Sequence, residues 1–179
     1  ITDVRNELSF FMLSATAITI PTTLALMFIA EPVIKAVFEG GAFGTEDVAA
    51  VARVMQYGIL QLPFFTVNLL ILKFAVATQH TGKVMLVSLF GLAINVGLNF
   101  VLMENSGVAG IALATTLASA LACGLMILIF NRLGHISWID LVMIFLNWML
   151  FSTLLICQHY RSYAGIAVTV IALAILLFS

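Results

Sequence analysis

The chain has 179 residues, 63% of them hydrophobic and 8% charged, with a net charge of −1 and a mean hydropathy of +1.21. A soluble domain carries roughly 25% charged residues, so this composition excludes a water-soluble surface, and the lack of a basic patch excludes a nucleic-acid partner. It predicts an all-α integral membrane protein in a lipid bilayer, whose function must reside in the few polar residues that lipid makes costly to bury.

Six apolar runs long enough to cross a bilayer are expected, at roughly 8–30, 48–78, 83–103, 108–130, 138–157 and 163–179. Asp3, Arg5 and Glu7 precede the first, and Pro21 near its middle implies a kink. The connection 31–46 holds Glu31-Pro32, a short amphipathic stretch and Gly40-Gly41. Thr45-Glu46-Asp47 then predicts a helix start, with Thr45 as cap and acids in the first turn. The second run exceeds what a bilayer requires and contains Pro63. Residues 79–82 form a turn, as do Glu104-Asn105-Ser106-Gly107. Residues 131–137 and 159–162 are the later loops. The chain opens on Ile1 and ends inside an apolar run at Ser179. It reads as one helical bundle over 1–179, cut from a larger transporter.

Loop charge sets the orientation. Arg5, Lys83 with His80, and Arg132 with His135 fall on alternate loops. The opposite side carries Glu31, Lys35, Glu39, Glu46, Asp47 and Glu104. The excess of basic residues in cytoplasmic loops places the first set inside, although Arg161 breaks the pattern. Trp138, Trp148, Tyr160 and Tyr163 suit interfacial anchors, the three histidines suit solvated loops, and Cys123 and Cys157 suit small core positions.

Within the second run Arg53, Tyr57, Gln61 and Asn68 share one helix face, with Pro63 beside it. A proline-freed backbone is tolerated in a membrane where it lines a cavity, so this stripe is expected to face a hydrated cavity or the bundle interior, against the alternative of helix–helix hydrogen bonding with no role in transport. Lys73 lies on the opposite side and suits snorkelling. On the third run Ser88, Asn95 and Asn99 share a face; on the fourth Thr115, Ser119 and Cys123 do, with Thr116 adjacent. The short turn between these runs makes them antiparallel neighbours. Asn95, Asn99 and Thr115 are then a candidate cluster for a monovalent cation, against the alternative of interhelical hydrogen bonds worth about 0.6–2 kcal/mol each. Gly110, Ala114, Ala118 and Ala122 form a small-residue ridge for close helix packing. No spacing of His, Cys, Asp or Glu suggests a metal site, and no cofactor is expected beyond a cation.

Phe38-Glu39-Gly40-Gly41-Ala42-Phe43 resembles the F-E-R-G-A-F signature of the MurJ/MviN family, bacterial lipid II flippases of the multidrug/oligosaccharidyl-lipid/polysaccharide exporter superfamily. It stands after a span ending in Glu31-Pro32 and before a long one with Tyr57 and Pro63, as in that family. Asn95-x-x-x-Asn99 and the segment from Gly107 to Thr115 are similar more loosely, since polysaccharide flippases share them. Gly40 replaces the family's Arg, and Gln79-His80-Thr81-Gly82-Lys83 departs from its D-T-x-T-P turn. Asn99 stands where some members carry an acid that supports a sodium site.

The resemblance implies most of the second lobe of a two-lobed flippase in the bacterial inner membrane, completed by an N-terminal lobe not in this sequence. It implies a lipid-linked oligosaccharide as substrate, foremost lipid II, carried by alternating access with Na+ or the membrane potential as driving force. Two alternatives stay open. One is a polysaccharide or O-antigen flippase of the same superfamily. The other is a membrane enzyme on lipid-linked substrates, for which Asp140 and Glu104 are poorly placed because both lie at span ends.

Overall fold

The computed structural model describes residues 2–40 and 43–133, and beyond them the single helical positions Val142, Leu146 and Thr153. The fifth and sixth expected spans, Asp140, Trp138, Trp148, Tyr160, Tyr163, His135, His159, Arg161 and Cys157 lie outside the described residues. So do Gly41 and Ala42 of the signature loop.

Helix α1 spans Thr2–Phe38, with Pro21 and Pro32 inside it. Its 37 residues reach about 55 Å, well beyond a hydrocarbon core of about 30 Å. The expected connection from residue 31 is therefore corrected, because the helix runs on through Glu31-Pro32 to Phe38. A single proline removes one backbone bond, and packing of Ile34 on Val48 and Ala52 holds the distal turns in place. Lys35 and Glu39 pair at 3.7 Å on the exposed side. The connection shrinks to a tight reversal, in which Gly40 and Phe43 exchange main-chain hydrogen bonds of 3.3 and 3.1 Å.

Helix α2 spans Thr45–Ile59. Its cap is Gly44, not Thr45, because Asp47 reaches back from inside the first turn and accepts from the Gly44 N–H at 2.9 Å. The chain breaks at Leu60 and Gln61 before α3, Leu62–Ala77. Pro63 lacks the N–H that would bond the Ile59 carbonyl, so the helical ladder is interrupted there. Leu60 and Gln61 keep right-handed helical φ and ψ, and Thr45–Ala77 remains one membrane-length segment, as expected for the second span. Helix α3 ends in a Schellman turn: His80 N–H donates to the Ala75 carbonyl at 2.8 Å and Gln79 N–H to Val76 at 3.2 Å. Gln79 takes the left-handed conformation there, φ 59°.

Helix α4 spans Thr81–Arg132, 52 residues or about 78 Å if straight. It is not straight. Gly107 adopts φ 58°, ψ −140°, a conformation open essentially only to glycine. Beyond it Gly110 lies against the Leu102 carbonyl, and Gly91 faces the Ala122 Cβ. The two arms, 81–106 and 108–132, are thus an antiparallel hairpin, and the small-residue ridge supplies its seam. The helix continues through Glu104, Asn105 and Ser106, so Gly107 makes the turn almost alone.

Helix α1 packs on α2 and α3, and α4 packs on both. The main core lies where α1 begins, α3 ends and both arms of α4 meet: Leu8 and Met12, Ile71 and Phe74, Val84 and Val87, Cys123 and Phe130. Ile34, Val48 and Ala52 form a second, smaller core at the other end. The segments Glu7–Phe38, Thr45–Ala77 and Thr81–Arg132 are each long and apolar enough to cross a membrane. With the third folded at Gly107, the described residues form an all-α bundle of four membrane-length legs.

Candidate functional site: a polar seam between the two cores

Between the two cores the packing turns polar. Thr116 donates its hydroxyl to the Tyr57 carbonyl at 2.6 Å, joining the second arm of α4 to the last turn of α2. The Asn68 amide donates to the Ser119 carbonyl at 3.2 Å, joining the same arm to α3. Gln56 donates to the Met27 carbonyl at 3.3 Å, joining α2 to α1. In α1 the hydroxyls of Thr16, Thr19, Thr22 and Thr23 bond back to carbonyls of the preceding turn. Such bonding satisfies the hydroxyls in an apolar setting and bends a helix gently.

Of the sequence-derived stripe, Tyr57, Gln61 and Asn68 are half-buried, while Arg53 is exposed. Gln61 occupies the break itself and its carbonyl accepts from Phe65 N–H at 2.8 Å. Asn68 is drawn into contact with α4, and its side-chain carbonyl oxygen is buried without a hydrogen-bond partner. Lys73 is exposed on α3. Two members of the seam lie off the polar face of their own helix. Gln56 precedes Tyr57 and lies off the stripe, and Thr116 lies beside the face chosen on the fourth span. Polarity within an apolar run was the only signal for either.

In the expected cation cluster, the Asn99 amide donates to Asn95 Oδ1 at 2.9 Å, one turn away. The Asn99 carbonyl oxygen is buried without a partner. Thr115 bonds within its own turn, to the Ile111 carbonyl at 3.1 Å. Among the described residues no three His, Cys, Asp or Glu side chains gather in a geometry that could hold a metal ion.

His80 is the one histidine among the described residues. It is half-buried, its Nδ1 lies 3.2 Å from the Thr78 hydroxyl, and its ring meets Phe130 edge-on at 6.2 Å. Cys123 is buried in the main core, a small packing residue. In the signature loop, Phe38 and Phe43 approach to 6.1 Å between ring centroids, with Phe38 exposed and Phe43 half-buried; Glu39 and Gly40 are exposed.

The family model described as Lipid II flippase MurJ matches residues 1–178. Among curated proteins, the chain is 26% identical over 109 residues to a probable lipid II flippase MurJ of Rickettsia prowazekii, covering 61% of this chain and 22% of that one. It is 28% identical over 116 residues to the probable flippase of Thermotoga maritima, 65% of this chain and 24% of that one. It is 27% identical over 113 residues to the lipid II flippase MurJ of Thermosipho africanus, 63% of this chain and 23% of that one. The matches thus span about a quarter of these relatives' length. A solved structure of lipid II flippase MurJ in an inward closed conformation superposes with a TM-score of 0.71 at 18% identity, over 98% of this chain and 38% of that one. A family match over all but one residue, on a bundle of the same fold, places this chain in the lipid II flippase MurJ family.

Proposed function

We propose that this chain is most of the second lobe of a flippase that moves the lipid-linked peptidoglycan precursor lipid II across the bacterial inner membrane. The observation that carries the reading is the family match over residues 1–178. The protein works by alternating access, in which two lobes rock about a central cavity and no bond is made or broken. The N-terminal lobe of the same protein completes that cavity. Arg53, Tyr57, Gln61 and Asn68 belong to its wall in this reading. Supporting this are the break at Pro63 and the half-buried polar groups around it. Transport rather than chemistry is supported by the exposure of Glu7, Glu31, Glu39, Glu46, Asp47 and Glu104.

The decisive measurement is growth complementation. Cells depleted of their own lipid II flippase are supplied with the full-length protein, and rescue is the expected outcome. Failure despite good expression, with rescue of an O-antigen export defect instead, selects the polysaccharide flippase.

The driving force is assigned to a monovalent cation, Na+ foremost, held by Asn95, Asn99 and Thr115, with the membrane potential as the alternative. Supporting the cation is the buried, unpartnered Asn99 carbonyl oxygen, a hard oxygen donor of the kind such ions take. Asn99→Leu in the full-length protein is expected to abolish the rise in thermal midpoint that sodium produces over potassium. No sodium dependence in the parent protein leaves the asparagine pair a packing contact.

A further inference from the structure

We propose that the break at Leu60 and Gln61 is a hinge, about which α2 and the distal part of α1 swing as one body against α3 and α4, and that the Thr116–Tyr57 hydrogen bond is the latch holding it in the conformation seen here. The inference concerns the motion of this chain and goes beyond the transport reading; its test reads that motion directly.

The first observation is that two adjacent helical segments each carry a proline at one level. Helix α1 runs antiparallel to α2 and α3, and Gln56 meets Met27. Stepping six residues back from Met27 reaches Pro21; stepping six forward from Gln56 reaches Leu62, beside Pro63. Both prolines therefore lie at the same depth. Each removes a backbone bond, to Ala17 in α1 and to Ile59 at the end of α2. The threonines flanking Pro21 bond back onto the carbonyls of α1, further softening its ladder. Kinks of this origin are where rods bend.

The second observation is that the packing divides at the same level. Distal α1 and α2 share the Ile34, Val48 and Ala52 core and the Gln56–Met27 bond. Proximal α1 and α3 share the main core with α4 through Met12, Ile71 and Phe130. Each body is held together internally, and the polar side chains Gln56, Asn68 and Thr116 mark the level between them.

The third observation is the second arm of α4, which passes the joint with no proline and bonds to both sides of it. Asn68, after the break, is anchored to the Ser119 carbonyl. Tyr57, before the break, accepts at its carbonyl from the Thr116 hydroxyl. The Asn68 bond can persist through a swing of α2, whereas the Thr116 bond cannot.

The test uses the full-length protein in nanodiscs of phosphatidylethanolamine and phosphatidylglycerol, with the native cysteines replaced. A trifluoromethyl probe sits on a cysteine at Val51, exposed on α2, or at Leu121, exposed on the passing arm of α4. In 19F NMR the Val51 probe is expected to report two environments. Thr116→Val is expected to shift their ratio about five-fold, the effect of one lost hydrogen bond. Pro63→Ala restores an N–H for the Ile59 carbonyl and is expected to collapse the signal to one environment. The Leu121 probe stays unchanged in both variants. A Val51 probe indifferent to both substitutions in folded protein overturns the hinge, as does a Leu121 probe that moves with it. Should Pro63→Ala fail to fold, Thr116→Val decides alone.

Discussion

At the scale of single residues, the turns of this bundle rest on main-chain conformations that most side chains resist. Gln79 holds φ 59° at the end of α3, where glycine is usual. The two Schellman bonds to Ala75 and Val76 hold it there at a steric cost of about 1 kcal/mol. Gln79→Gly is therefore expected to raise the thermal midpoint of the full-length protein in detergent. An unchanged or lowered midpoint shows that the Gln79 side chain contributes more than its backbone costs. The same αL position was not legible in the sequence, since Gln carries no turn signal.

At the scale of elements, the hairpin in α4 depends on two glycines with different roles. Gly107 supplies the turn, and Gly110 lets the second arm touch the main chain of the first at Leu102. A Cβ at Gly110 has nowhere to go, because its neighbour is backbone and not a flexible side-chain end. Gly110→Ala is expected to part the arms and cost about 1–3 kcal/mol. Gly97 sits in the same helix with open space around its Cα. Gly97→Ala is expected to be neutral or stabilising by up to about 1 kcal/mol, through helix propensity. Thermal melts of the two variants check the contrast, and equal effects would remove the close-packed seam from the account. The small-residue ridge was legible from its spacing of four. Its partner surface was not, because a ridge does not say which helix it meets.

At the scale of the whole molecule, the arrangement of charged ends predicts how the bundle sits in the membrane. The Gly40–Phe43 reversal is expected outside the cytoplasm, with the exposed acids Glu39, Glu46 and Asp47 around it. The Gln79–His80 turn is expected inside, with Lys83 and Arg132. A membrane-impermeant maleimide applied from outside is expected to modify a cysteine at Gly44 and spare one at Gly134. The reverse pattern inverts the bundle and with it the direction in which the hinge opens.

The sequence by itself determined the class of the protein. Apolar runs of bilayer length leave helices as the only way to pair every backbone group, and 8% charged residues leave no soluble alternative. It also located Pro63, the Gly107 turn and the signature loop, because prolines, glycines and aromatic clusters act locally. Tertiary structure alone decided where the helices stop and what the polar residues touch. Helix α1 passes through Glu31-Pro32 because Ile34 finds a surface on α2, which lies further along the chain. Asn68 and Thr116 were both legible as polar, and their partners are main-chain carbonyls of other helices. Every residue carries such a carbonyl, so no residue type marks the one chosen; only the packing of the helices brings it into reach.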